Sequence, residues 1–369
     1  MNQTSGTRVF ILGAGCSADC GYPLGTGFKK ALEQFRSQIL DDCPTIRQTV
    51  CDTITLMENL PDIQTLDQLA RRIDEELESW RGKRNYLADS EDCERKTIAE
   101  KKILDAKIAT SALFLALEEK IPKSGIAKYE DFIVSILGGR AQTLEDMFRE
   151  ADCHVLSFNY DRLFEIAFLN RCKQHDPCQS GLYSGKVLNS GFDAKRDAVK
   201  PVFGRFSFLK LHGSSGWWVK KEQYSGPERL YWPSVPKIPV ALKDIEASAA
   251  KAHDYLEWKP LIAFPHERQS SREFYQANKS SAGYHWAPYI DAVWNHAGDL
   301  LAMATEVKVI GYSFDPNDSR YMVEELMSKI PTTVKIVIKN KKEVEAKVMG
   351  DVDGYKVLRG RVEFDPSLF

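Results

Sequence analysis

The feature that most constrains this chain is a short apolar run, Arg8–Leu12 (RVFIL), that ends in Gly13-Ala14-Gly15-Cys16-Ser17-Ala18 and then Gly21-Tyr22-Pro23. A β-branched and aromatic stretch of that length reads as a buried strand. The glycines after it permit a sharp turn out of a sheet and let backbone N–H groups approach a phosphate with no Cβ in the way. Gly13-x-Gly15-x-x-Ala18 also satisfies a dinucleotide fingerprint in the required strand-to-helix context. A tight turn with no ligand is the alternative reading. The dehydrogenase version needs a second strand ending in Asp or Glu about 20 residues later. Asp41 and Asp42 lie near that distance but follow a helical pattern, Leu24–Gln38, which argues against an ordinary nicotinamide dehydrogenase.

The strand-like rhythm recurs at His154–Phe158 (HVLSF), Phe206–Leu211 (FSFLKL), Val307–Ile310 (VKVI) and Val334–Ile338 (VKIVI), with Val362–Phe364 as a weaker last strand. Several of these runs are apolar almost throughout, as parallel strands covered on both faces are. Helical patterns follow at Arg162–Lys173 and Asp318–Lys329. Strand then helix, repeated, predicts an α/β fold with a doubly wound, Rossmann-like parallel sheet. From about Thr45 to Glu150 the rhythm is lost, and Leu66–Trp80 and Ile98–Leu117 carry helix-period patterns instead. Residues 45–150 therefore read as a helical insertion into a nucleotide-binding catalytic domain formed by 1–44 and 151–369. Glu75, Glu76, Glu78, Lys101 and Lys102 read as solvated faces of the inserted helices. Residues 175–205 and 220–260, rich in Gly, Ser, Pro and Tyr, read as long loops over the site.

Composition narrows the classes. A chain of 369 residues is ample for a full core. With 43% apolar residues and 50 Lys and Arg against 52 Asp and Glu, it is not a disordered chain. A net charge of −2 makes no global electrostatic case for nucleic acid. No window approaches the roughly 18 uninterrupted apolar residues of a membrane helix, and the N-terminus lacks the pattern of a secretory leader, so a soluble cytoplasmic protein is expected. The eight cysteines (16, 20, 43, 51, 93, 153, 172, 178) are scattered and contain no C-x-x-C, which predicts reduced thiols and no metal site.

Chemistry-bearing residues cluster just past the predicted strands. Ser157-Phe158-Asn159-Tyr160-Asp161 follows the second, and ligands in open α/β sheets bind at the carboxyl ends of strands. Asn159 and Asp161 are thus candidates for chemistry, although an isolated Asn or Asp at such a place more often caps the next helix. Lys210-Leu211-His212-Gly213-Ser214-Ser215-Gly216 follows the third; His212 fits a general base with backbone room for a substrate, or a structural histidine. Val309-Ile310-Gly311-Tyr312-Ser313-Phe314-Asp315 follows a later strand, where Ser313 suits a ribose or phosphate oxygen or a helix cap. Trp217-Trp218 and Tyr231-Trp232 read as stacking platforms for a base or as loop anchors. His285-Trp286 and Trp294-Asn295-His296 read as packing rather than metal ligands.

In this order the motifs resemble the sirtuin superfamily, in particular the sirtuin-like NAD hydrolases that serve as effectors in bacterial antiviral defence. Gly13-Ala14-Gly15-Cys16-Ser17 with Gly21-Tyr22-Pro23 is similar to the family's glycine-rich opening, Phe158-Asn159-Tyr160-Asp161 to its asparagine motif, Leu211-His212-Gly213 to its catalytic histidine, and Gly311-Tyr312-Ser313 to its late ribose-side strand. The protein-deacylating members carry a zinc ribbon built on two cysteine pairs, which this sequence lacks, and that departure favours hydrolysis. Gly15 and Asn159 stand 144 residues apart, which leaves room for the helical insertion.

The resemblance implies NAD as substrate and no metal. It implies Asn159 and His212, with Asp161, as the catalytic set. Gly13, Ala14, Gly15 and Ser17 would cradle the pyrophosphate, with Gly311 and Ser313 on the adenosine side. It further implies a homo-oligomer and a separately encoded partner such as a HerA-like ATPase or an Argonaute-type protein. A zinc-free deacylase and a non-catalytic NAD or ADP-ribose sensor are the alternative readings.

Overall fold

The computed structural model describes residues 6–39, 41–60, 62–81, 90–137, 153–171, 206–219, 241–252, 258–264, 287–314, 325–339, 358 and 361–365. The chain divides into two compact units: one comprises Met1–Gly21, Ile121–His212 and Pro288–Phe369, the other Tyr22–Lys120 and Gly213–Ala287.

The first unit is built on a sheet of six strands: β1 (Thr7–Leu12), β2 (Cys153–Ser157), β3 (Phe206–Lys210), β6 (Ala304–Ile310), β7 (Ile336–Lys339) and β8 (Val362–Phe364). All neighbours pair in parallel, in the order β3-β2-β1-β6-β7-β8. Two strands run outward from β1 on one side and three on the other, which is the strand order of Rossmann-like parallel sheets, with its switch point between β1 and β6. Val9, Ile11, Val155, Leu156, Val307, Val309, Ile336 and Ile338 are fully buried in this sheet, so the continuous apolar runs follow from cover on both faces.

Helices α5 (Lys123–Leu137), α6 (Leu163–Arg171) and α8 (Ala287–Ala302) belong to the same unit. An aromatic seam joins the first two to the sheet. Phe132 of α5 meets Phe10 edge-on at 5.4 Å, and Phe164 and Phe168 of α6 stack on Phe208 and Phe206 at 4.5 and 5.6 Å. Arg8 donates from Nη2 to the Ile136 carbonyl at 2.7 Å, satisfying the C-terminus of α5.

The second unit holds α1 (Phe28–Arg36), α2 (Pro44–Glu58), α3 (Leu66–Arg81), α4 (Ser90–Glu118), α7 (Leu242–Ala249) and the strands β4 (Gly213–Val219) and β5 (Lys259–Ile262). Every residue from Ile108 to Ala116 of α4 is buried, so this helix lies in the unit's core rather than on its surface. Pro44 opens α2, and the Thr45 and Ile46 amides both donate to Glu246 of α7 at 2.9 Å. β4 and β5 pair antiparallel and bury Trp217 and Trp218. Gly213 has φ +74°, and a Cβ there would stand 2.0 Å from the Leu261 carbonyl oxygen, so only glycine fits this corner.

The six strands of the main sheet fall on the six runs that the sequence marks, with no boundary displaced by more than three residues. The sequence reading does not anticipate β4, because a Gly- and Ser-rich segment has the composition of a loop. In the stretch 220–260, read as loop, the described part contains α7 and the start of β5. Of the helix expected at Asp318–Lys329, only the end is described, and it closes in a 3₁₀ turn at Met327–Lys329. Residues 175–205 lie outside the described residues. Helix α5 belongs to the sheet-bearing unit, while Gly213–Ala287 joins the unit that contains α2, α3 and α4. Among the described residues no helix is long and apolar enough to cross a membrane.

Candidate functional site

The order β3-β2-β1-β6 brings four carboxyl ends side by side. After β1 the chain makes two short 3₁₀ turns, Ala14–Cys16 and Ala18–Cys20, that cross the turn after β6. Gly13 donates to the Ile310 carbonyl at 2.9 Å and Gly15 to the Gly311 carbonyl at 2.8 Å. The glycines are needed for this crossing. A Cβ on Gly13 would lie 2.5 Å from Tyr312 Cα, and one on Gly311, itself at φ +66°, would lie 2.4 Å from the Cys16 nitrogen. Within the turn the Cys16 and Ser17 amides bond to the Gly13 and Ala14 carbonyls, while the Ala14 N–H takes no part in these bonds and its residue is exposed. The Cys16 thiol donates to the Ile310 carbonyl, and burial pushes it up to about 12, so it is a protonated thiol and a poor nucleophile.

Beneath this turn lies a buried polar cluster centred on the Ser17 hydroxyl. Ser17 Oγ donates to Asp161 Oδ2 at 2.7 Å, lies 3.0 Å from the Tyr129 hydroxyl of α5, and accepts from Asn159 Nδ2 at 3.2 Å. Asp161 uses its other oxygen to accept the Leu163 amide at 3.1 Å, which caps α6. Burial, reinforced by the Asp161 charge, holds the Tyr129 phenol well above its usual range. Asn159 is 6% exposed, and its Oδ1 is a buried acceptor with no hydrogen-bond partner among the described residues. A buried acceptor left open is costly unless something fills it, which marks the atom as a contact point for a ligand or an ordered water.

A buried ion pair supports the Asn159–Asp161 loop from below. Lys210, the last residue of β3, meets Glu165 of α6 at 3.1 Å with both side chains buried, and Lys210 Nζ also donates to the Asp161 main-chain carbonyl. Burial raises the Glu165 carboxyl, and the Lys210 charge opposes that shift. Next along the chain, His212 lies among rings: Phe158 edge-on at 5.2 Å, Tyr160 at 6.1 Å and Trp294 of α8 near parallel at 6.0 Å. Trp294 is itself fixed, donating from Nε1 to the Leu211 carbonyl at 2.7 Å. His212 therefore rests against both sequence neighbours of Asn159. Tyr312 closes the far side of Phe158 at 4.9 Å, ahead of Phe314, a buried residue with φ +49°, a region an aromatic side chain seldom adopts.

The structure thus gathers Gly13, Ala14, Gly15, Ser17, Asn159, Asp161, His212 and Gly311 at one end of one sheet. Ser313 follows on the same turn, exposed. Trp217 and Trp218 are buried in β4, as anchors rather than an open platform. Burial lowers the His296 imidazole. Asp315, Tyr231, Trp232, His285, Trp286, Cys172 and Cys178 lie outside the described residues. Sequence reasoning reads Trp294 as packing but does not single out Tyr129, Lys210 or Glu165; the one available signal was a lysine ending an apolar strand and a glutamate in the first turn of an apolar helix.

Among the described residues no group of three or more His, Cys, Asp or Glu side chains is placed to hold a metal ion. Comparison with models of known families gives no match, and no curated protein matches the chain. The chemistry must therefore be argued from the site alone. It offers the open Asn159 acceptor, an imidazole packed against that residue's two sequence neighbours, and a turn whose Ala14 is exposed. The Ser17 hydroxyl is engaged and the Cys16 thiol protonated, so neither is poised as a covalent nucleophile.

Proposed function

We propose that this chain hydrolyses NAD at the bond between nicotinamide and ribose, releasing nicotinamide and ADP-ribose. The observation that carries the reading is the open Oδ1 of buried Asn159 at a β2 carboxyl end, with His212 of the neighbouring strand end packed against the residues on either side of it. Nicotinamide leaves as a neutral group from a cationic ring, so the transition state has oxocarbenium character and needs an oriented ribose and a water more than a strong nucleophile. Asn159 Oδ1 would accept from that water or from a ribose hydroxyl, and His212 would take the proton. The turn at Gly13–Ser17, with Ala14 exposed, and the turn at Gly311–Ser313 border the switch point where a dinucleotide would lie. The resemblance noted in the sequence adds the expectation of a defence effector that depletes NAD once activated.

The test is nicotinamide release from NAD by the purified protein, with Asn159→Ala and His212→Ala alongside. Turnover lost by at least a hundredfold in both, at unchanged melting temperature, is expected; full activity in both variants would overturn the proposal.

A further inference from the structure

We infer that Tyr129, Ser17 and Asp161 are positioning residues that lock the Asn159 side-chain amide with its oxygen toward the ligand. The inference rests on the reading above, in which Asn159 meets the substrate. It follows from counting hydrogen-bond valences around one atom. A serine hydroxyl has one proton to give and two lone pairs to receive. The short contact to the Asp161 carboxylate uses the proton, because a carboxylate only accepts. The Tyr129 hydroxyl, at 3.0 Å, must then donate to Ser17 Oγ. Its buried phenol keeps its proton across the ordinary pH range, so it remains a donor. The second lone pair takes Asn159 Nδ2.

Every valence of Ser17 is then filled, and the carboxylate that orients it is itself pinned by the Leu163 amide. Turning the Asn159 amide over would set its oxygen against Ser17 Oγ with no proton between them. The ligand therefore always meets Oδ1, an acceptor, and the site favours a group that donates, a hydroxyl or a water, over a phosphate or carbonyl oxygen. The Ser17 hydroxyl has no valence left for a pyrophosphate. Tyr129, on a helix about 30 residues ahead of the asparagine motif, reaches this cluster through its hydroxyl.

The test uses the full chain labelled with ¹⁵N at asparagine, the Asn159 side-chain resonance being identified by its loss in Asn159→Asp. The wild-type Nδ2 protons should exchange with solvent at least about tenfold more slowly than those of exposed asparagines. Tyr129→Phe, which removes a single oxygen and is the variant surest to fold, should shift the resonance, and Ser17→Ala should abolish the protection. In NAD turnover kcat should fall about tenfold in Tyr129→Phe and about a hundredfold in Ser17→Ala with KM within about twofold, and Ser17→Thr, which keeps the hydroxyl, should recover part of the loss. A resonance unmoved in Tyr129→Phe and Ser17→Ala, or, where the wild type hydrolyses NAD, kcat unmoved in both variants, would overturn the inference. A wild type that neither binds nor hydrolyses NAD would overturn the NAD reading instead, and the resonance alone would then decide the lock.

Discussion

Replacing Lys210 by methionine tests whether the buried ion pair holds the asparagine loop. Lys210 and Glu165 are 1% and 2% exposed and 3.1 Å apart, and Lys210 also donates to the Asp161 carbonyl. Methionine fills most of the volume but takes the Lys210 charge away from a carboxylate in a low-dielectric site, a loss of about 3–5 kcal/mol. Whole-domain stability is about 5–15 kcal/mol, so Lys210→Met should fold but sit near its limit. In urea the midpoint should drop by roughly 1–2 M. Two features separate this account from simple cavity formation. First, Glu165→Gln added to Lys210→Met removes the stranded charge and should recover at least half of the loss. Second, the deficit should depend on pH. Burial raises the Glu165 carboxyl in the folded protein, so the stability linked to its proton is fully present below the ordinary carboxyl range and is lost as pH rises through the folded value. Without Lys210 to oppose burial that folded value climbs further, and the variant's deficit should be larger at pH 8 than at pH 5. A loss below about 1 kcal/mol, or a double variant no better than the single, would refute the reasoning.

The crossing of the two glycine turns predicts that Gly13→Ala is severe, because the new Cβ would stand 2.5 Å from Tyr312 Cα and 2.7 Å from the Gly311 carbonyl oxygen. A loss of at least about 2 kcal/mol is expected in denaturant melts, and a neutral substitution would show that the turns do not meet as described. The Cys16 thiol, at about 12, should be about one part in ten thousand thiolate at pH 8, so iodoacetamide should alkylate it in the folded protein far more slowly than a small free thiol. Peptide mass spectrometry reads the rate, and labelling as fast as the free thiol would contradict the burial assigned to it.

How much was legible in the sequence depended on whether a signal was local. The strands were legible because both faces of a parallel sheet are covered, so Val9–Leu12 or Val307–Ile310 need no partner to announce themselves. Asn159, Asp161 and His212 were legible because they stand immediately after such runs. Asp161 caps α6 with one oxygen and holds Ser17 with the other. Tyr129 was not legible, since a tyrosine at helical spacing on α5 carries no mark of the hydroxyl it meets across the unit. β4 was hidden for a different reason: Gly213-Ser214-Ser215-Gly216 has loop composition, and what makes it a strand is pairing with a segment some 45 residues away.

The glycine-rich opening requires the most careful weighing. Read alone, Gly13-x-Gly15-x-x-Ala18 points to a phosphate. In the folded chain the amides of Gly13 and Gly15 point at the turn after β6, and each glycine is required there whether or not a ligand is present. The motif is therefore a poor discriminator between a nucleotide site and a tight crossing of two loops. Asn159 discriminates better. Nothing in the packing of β2 requires an amide at that position, its nitrogen end is held by Ser17, and its oxygen end remains an open buried acceptor. A purely structural residue would close both ends, as Asp161 does. The oxygen of this asparagine and the imidazole packed against its two sequence neighbours are the groups that would carry the proposed reaction, and altering those two groups decides it.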